Sequence, residues 1–220
     1  MGLAITLLTL LHLLIPIYWL GGDLGAFYGA TFLTDTSRPV GERMMSLKIL
    51  NNIDMAPRTT LIMAFPTGFT LAVVKGWVPV DHMWLGLVWV AGLAWLALAW
   101  AVHLRHGPAG ATFKKVDIAI RYIVLAGLVV AGIGGLLGKI ELPLFIAGKL
   151  LSLAACITLG LIVRVQLVPL FPAIIAMKNN GPTPETDAAI IGVLSKTRPT
   201  VMVLWVVVLF ACCLGIGKPL

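Results

Sequence analysis

The chain has 220 residues, 60% of them hydrophobic and 11% charged, and a formal net charge of +7. A soluble globular domain carries about 25% charged residues, so this composition excludes an ordinary soluble fold. The positive charge does not mark a nucleic-acid partner either: the basic residues sit between long apolar blocks, where Lys and Arg set the orientation of a membrane protein.

The apolar blocks reach twenty residues or more, the length at which a helix crosses a bilayer. Six spans are predicted, at 3–33, 56–75, 82–104, 118–138, 143–167 and 199–217, separated by Pro- and Gly-rich gaps such as SRPVG, GWVPVD, HGPAGA, IELPL and NNGPTPET. The expected fold class is all-α, a polytopic membrane helix bundle forming a single transmembrane domain. Span 1 has no basic leader and exceeds the roughly 7–15 apolar residues of a cleaved signal, so it is expected to remain as a span.

In chain order, span 1 contains the stretch LHLLIPIYWLGGDLGAFYGA, which sets His12 and Asp23 in an apolar background. The connection RPVGERMMSLKILNNID follows. Its Met44, Met45, Leu47, Ile49, Leu50 and Ile53 predict an amphipathic interfacial helix leading into span 2. Span 2 opens on Arg58, four residues after Asp54. Span 3 carries four tryptophans. Trp84 and Trp100 fit the two aromatic belts, and Trp89 and Trp95 fit packing positions. His82 stands at one mouth of this span, and His103 and His106 share a face at the other, where they are either metal ligands or complements of the helix dipole.

Span 4 repeats small residues, with Gly127, Ala131 and Gly135 and, offset by one, Gly134 and Gly138, a pattern for close helix packing. Span 5 holds Lys149 and Arg164. The segment after it has Pro169 and Pro172 to bend it and lays 171–177 along the interface. Cys156, Cys212 and Cys213 lie in apolar segments at no metal-like spacing, and read as small hydrophobes.

Orientation follows from charge. Twelve of the sixteen basic residues lie in the 1–2, 3–4 and 5–6 connections and their flanks. Lys75, Lys139, Lys149 and Lys218 lie on the other side. The positive-inside rule puts the first set in the cytoplasm and both termini outside. At 1.5 Å per residue, His12 then lies roughly 13 Å and Asp23 roughly 30 Å below the outer end of span 1, and Lys149 roughly 10 Å and Arg164 roughly 33 Å below that of span 5. Depth therefore matches His12 with Lys149, and Asp23 with Arg164. Arg58 is a competing partner for Asp23, unless it pairs with Asp54 one turn away. Two nitrogens at the depth of His12 and Lys149 suit a metal, a haem iron or an anionic group such as a haem propionate; the alternative is a hydrogen-bonded His12 and a Lys149 that extends outward.

Several motifs carry a family resemblance. HLLIPIYWLGG resembles the first helix of CopD- and HemJ-type membrane proteins, PRTTLIMAFPTGFTLAVVKG their second, FIAGKLLSLAACITLGL the HemJ-type third and RPTVMVLWVVVLFACCLGIGKP its last. About half the chain is covered. The resemblance implies that spans 1, 2, 5 and 6 are the core and that 82–138 is an inserted hairpin. It also implies a b-type haem held by His12 and Lys149. Beside them WLGG, with Trp19 and Gly22, offers small residues that let a flat macrocycle or another helix approach closely. On this basis the expected function is membrane redox work in a bacterial-type inner membrane, on a porphyrin-like substrate or with quinone, as an oxidoreductase or an electron-transfer subunit beside a partner enzyme or a second copy. A CopD-type copper or small-solute permease, or a non-catalytic anchor subunit, is the alternative.

Overall fold

The computed structural model describes residues 2–105 and 108–218. Among these there are eight helices and no strand: α1 (Leu3–Thr34), α2 (Val40–Ile53), α3 (Met55–Val74), α4 (Met83–Leu104), α5 (Pro108–Leu136), α6 (Leu144–Gln166), α7 (Leu170–Asn180) and α8 (Pro184–Gly217). Five stretches are long and apolar enough to cross a membrane: Leu3–Thr34, Met83–Leu104, Gly110–Leu136, Leu144–Asn180 and Pro184–Gly217. Their outward faces carry large apolar side chains, among them Ile17, Ile123, Val165 and Val206, each more than half exposed. A soluble protein does not tolerate so continuous an apolar surface, and the chain is a multi-pass membrane protein.

α3 is the least apolar of the six long helices, because it contains Arg58, two further prolines and several threonines. The threonine polarity is largely spent inside the helix. Thr60, Thr67 and Thr70 donate to the carbonyls of Ala56, Met63 and Pro66 at 2.9, 2.7 and 2.7 Å, the usual back-bonding of a hydroxyl to the preceding turn. What remains outward is apolar, and α3 buries Leu61, Ile62 and Leu71 against its neighbours.

Six helices close a ring in the order α1, α3, α4, α5, α6, α8 and back to α1, with α3 also touching α6. The start of α1, the end of α8, the α3–α4 connection and the α5–α6 connection lie at one end of the ring. Between apolar helices in lipid, association rests on close packing more than on water exclusion. Small residues set the approach. A Cβ at Gly92 of α4 would meet Pro66 of α3 at 2.6 Å, and one at Gly132 of α5 would meet Leu151 of α6 at 2.6 Å. Gly135 packs on Ala147 and Leu142, whereas Gly127 and Ala131 face the ring's interior. Gly92→Ala should therefore overpack the α3–α4 seam and destabilise the protein by about 1–3 kcal/mol, read as a lower thermal midpoint in detergent. Gly127→Ala, with nothing within 4 Å of its Cβ, should leave the midpoint unchanged.

α1 and α8 have 32 and 34 residues, about 48 and 51 Å at 1.5 Å per residue, well beyond a hydrocarbon core of about 30 Å. Their surplus length projects at the end opposite the termini, where α2 and α7 pack on it around Ala30, Leu33, Ala173, Ile174, Met177, Ile190 and Leu194. Arg43 joins the layers and is fully buried. Its Nε donates to the Leu33 carbonyl at 2.9 Å and its Nη1 pairs with Asp187 at 2.7 Å. The guanidinium thus satisfies a carbonyl that the last turn of α1 leaves open.

The sequence expectations for this layer need correction. α2 forms, but Arg43 and Ser46 are its most buried residues; Met44, Leu47 and Leu50 pack partly inward, while Met45 and Ile49 stay exposed. In α7, Leu170, Ala173, Ile174 and Met177 turn into the cluster, while Phe171 and Ile175 stay exposed. α8 starts at Pro184, fifteen residues before the predicted span, because Thr183 and Thr186 form a reciprocal capping box with Pro184 in the first turn. In the α1–α2 connection, hydrogen bonds from the Ser37 hydroxyl and N–H, with Arg38 beside them, hold the Asp35 carboxyl below the usual aspartate range.

Candidate functional site

The ring encloses a cavity of about 1060 Å³ that begins among Lys75, Trp77, Leu142 and Lys218 and reaches down to Trp19, Trp95 and Cys156. All six long helices line it, including α4 and α5 through Gly92, Trp95, Val124 and Leu128. The predicted hairpin 82–138 is thus part of the cavity wall, and without it the space between α3 and α6 would open to lipid. The volume stands at the upper end of the roughly 300–1,000 Å³ typical of small-molecule sites.

His12 lies on this wall, and its ring rests on α3. Gly68 makes the room, since a Cβ there would come within 3.1 Å of the imidazole Cε1. The imidazole Nδ1 is 2.8 Å from the Thr67 hydroxyl oxygen. Thr67 has one proton, and that proton goes to the Met63 carbonyl at 2.7 Å. The hydroxyl oxygen therefore accepts from His12, and the hydrogen-bond network assigns the proton to Nδ1. The other ring nitrogen, Nε2, keeps its lone pair, and no side chain among the described residues is bonded to it. This is the arrangement in which a histidine is prepared to bind a metal centre, one nitrogen fixed by a second group and the other free.

Lys149 on α6 lines the same cavity. Its ammonium fits against Gly215 of α8, where a Cβ would lie 2.9 Å from Nζ. Trp19 is nearly fully buried and also lines the cavity. Gly22 does not. It faces away: a Cβ there would meet Pro57 and Ala56 of α3 at 2.9 and 3.0 Å, so its small size serves the close approach of another helix, the second of the two expectations, and not a macrocycle contact. Cys156 and Cys212 are free thiols that line the cavity, and Cys156 is also packed in the apolar core, as a small hydrophobe would be.

Asp23 and Arg164 are not partners. Arg164 Nη2 pairs with Asp117 at 2.9 Å, and Arg121 Nε pairs with the same carboxylate oxygen at 3.1 Å. The other oxygen of Asp117 accepts from Trp95 Nε1 at 3.0 Å. Asp23 accepts from Trp205 Nε1 at 2.9 Å, with the Trp19 indole beside it. Arg58 pairs with Asp54. The reason is azimuth: α8 and α3 stand between α1 and α6 in the ring, so equal depth does not bring their side chains together. Asp117 was missed by the sequence reading, although its spacing to Arg121 (i, i+4) is a recognisable pair on a helix.

The remaining histidines stand apart. His82 is at the start of α4, and His103 packs edge-on to Trp100 with centroids 6.1 Å apart. His106 lies outside the described residues. No group of three or more His, Cys, Asp or Glu residues placed to hold a metal ion occurs among the described residues.

No family model matches the chain, and neither does any curated protein or solved structure.

Proposed function

We propose that the chain is a haem-b-binding redox protein of a bacterial-type inner membrane, either an oxidoreductase or an electron-transfer subunit. It has six spans, α3 among them, and both termini on the outer side. The observation that carries this reading is the state of His12: a ring nitrogen with a free lone pair, held by Thr67, on the wall of a large apolar cavity within the membrane. The donor set fits haem better than a bare metal ion. Closed metal sites need three or four protein ligands, whereas haem brings four of its own and asks the protein for one or two axial ligands. When bound, haem supplies one-electron chemistry. His12 would hold its iron, Lys149 would be a second ligand or meet a propionate, and Trp19 and Trp95 would exclude water from the far end. A copper permease of CopD type is less well supported, because no Asp or Glu lines the cavity and its charged residues are lysines, which repel a cation.

The test is the absorption spectrum of the pure protein, expressed with added haem precursor. The expected result is a Soret band that is lost in His12→Ala while the variant still folds. A wild-type protein that stays colourless overturns the proposal.

A further inference from the structure

Of the forty-two residues lining the cavity, three carry formal charge, and all three are lysines: Lys75, Lys149 and Lys218. None of them forms an ion pair with a carboxylate among the described residues. Two stand at the mouth around one aromatic ring, with the ammonium groups of Lys75 and Lys218 each 5.1 Å from the centroid of Trp77. Attraction of cations to the face of an indole extends to about 6 Å, so the ring gathers both charges. It does not neutralise them.

The chain goes to some length to build this arrangement. Gly76 takes φ +71 just past the end of α3, and the reversal sends Trp77 back over the mouth, where its ring packs edge-on to Phe145 at 5.2 Å. Lys218 has φ 39 and is the one non-glycine residue with positive φ among those described. Helices commonly end on a left-handed residue, and that residue is usually glycine. Here Gly217 stands one position earlier and Lys218 takes the unfavourable conformation, which directs its side chain over Trp77. Behind the mouth, Lys149 carries a third ammonium on the apolar wall, in the room left by Gly215. Converging cations with no ion-paired carboxylate among the described residues, at the open end of an apolar cavity, are complementary to a molecule with an apolar body and acidic groups at one end.

We infer that the mouth is an acid-recognition station, in which Lys75 and Lys218 flanking Trp77 take the acidic groups, carboxylate or phosphate, of an anionic amphiphile whose apolar body lies in the cavity. The inference rests on the cavity being a ligand site and is independent of iron ligation by His12. The same chemistry comes from two sources, a free amphiphilic acid or the headgroup of an anionic lipid, and the experiment separates them.

The full-length protein in nanodiscs of zwitterionic lipid is titrated with metal-free protoporphyrin IX and, separately, with its dimethyl ester, which has the same macrocycle without the charges. Quenching of tryptophan fluorescence reports binding. The acid is expected to bind about tenfold tighter than the ester, the scale of charge-assisted hydrogen bonds at a partly shielded site. The preference should vanish in Lys75→Gln/Lys218→Gln, with ester binding retained as the control for folding. Displacement of the acid by phosphatidylglycerol added to the nanodiscs assigns the station to a lipid headgroup; no displacement assigns it to a free acid. Equal affinity for acid and ester, no binding of either, or an unchanged preference in the double variant overturns the inference. The acid–ester comparison involves no iron, so its outcome does not depend on a ligand at His12. A failure of the haem reading, seen as a haem spectrum indifferent to His12, is thereby distinguished from a failure of the station.

Discussion

Asp117→Ala is expected to be the most damaging single substitution in the transmembrane region. Asp117 is 1% exposed and receives three donors, from Trp95 on α4, Arg121 on its own helix and Arg164 on α6. Removing it leaves two guanidiniums facing each other in a low-dielectric setting with no counter-charge, and an indole N–H without an acceptor. Loss of one partner from a buried ion pair costs about 3–5 kcal/mol, which for a chain of this size lowers the thermal midpoint by on the order of 10 °C. Arg121 already has a buried Nη2 with no hydrogen-bond partner, so the cluster has no spare acceptor to absorb the change. Asp117→Asn should fall between, since the amide keeps an acceptor for Trp95 and removes the charge. Removing all the charges together, as Asp117→Leu/Arg121→Met/Arg164→Met, should recover most of the lost midpoint, because the penalty belongs to the stranded cations rather than to the missing carboxylate. An Asp117→Ala protein as stable as wild type would show that water reaches the arginines and that the cluster does not hold α4, α5 and α6 together. Exchange of Asp23 and Arg164 should not rescue either single variant, since neither meets the other.

The contrast between Asp117 and Asp23 shows which part of this structure was legible in the sequence. The long helices were legible because hydrocarbon imposes length and composition on a helix, and the apolar blocks coincide with α1, α3, α4 and α6 to within a residue or so. Position along each helix was legible too, through the fixed rise per residue. The ring order was not, because a residue's angular position around a lipid-facing helix leaves little mark when both faces are apolar. Depth alone therefore paired Asp23 with Arg164, and the angular positions paired Arg164 with Asp117. The same ambiguity made Gly22 look like a cavity residue, when its Cβ position points at Pro57. The long N-terminal half of α8 went unseen for a different reason: polar residues such as Glu185, Asp187 and Lys196 fall outside any span, and the only local signal was the Thr183–Pro184 cap. His12 and Lys149 were legible as members of one site because they share both depth and the cavity side of their helices. Thr67 was not, since nothing in PRTTLIMAFPTG distinguishes the one threonine that faces His12 from its neighbours.

Thr67 is consequently the sharpest test of how the site is prepared. It is fully buried, its own proton is committed to Met63, and its oxygen holds the Nδ1–H of His12. Thr67→Val keeps the shape of the side chain and removes that acceptor. His12 is then free to rotate about its side-chain bonds and to take the other tautomer, in which Nε2 carries the proton and has no lone pair to offer. Loss of an outer partner of a ligating histidine typically costs 10–100-fold in metal affinity, about 1.4–2.7 kcal/mol. On the haem reading proposed above, Thr67→Val should retain haem but release it to an excess of apomyoglobin about 10–100 times faster than wild type, with a shifted Soret maximum. Thr67→Ser, which keeps the hydroxyl, should restore both the release rate and the spectrum. His12→Ala/Thr67→Val should be no worse than His12→Ala alone, because Thr67 acts only through the imidazole. If Thr67→Val matches wild type in release rate and spectrum while His12→Ala loses the haem, the ligand nitrogen is not prepared by this hydrogen bond, and the orientation of His12 has to come from its packing on Gly68.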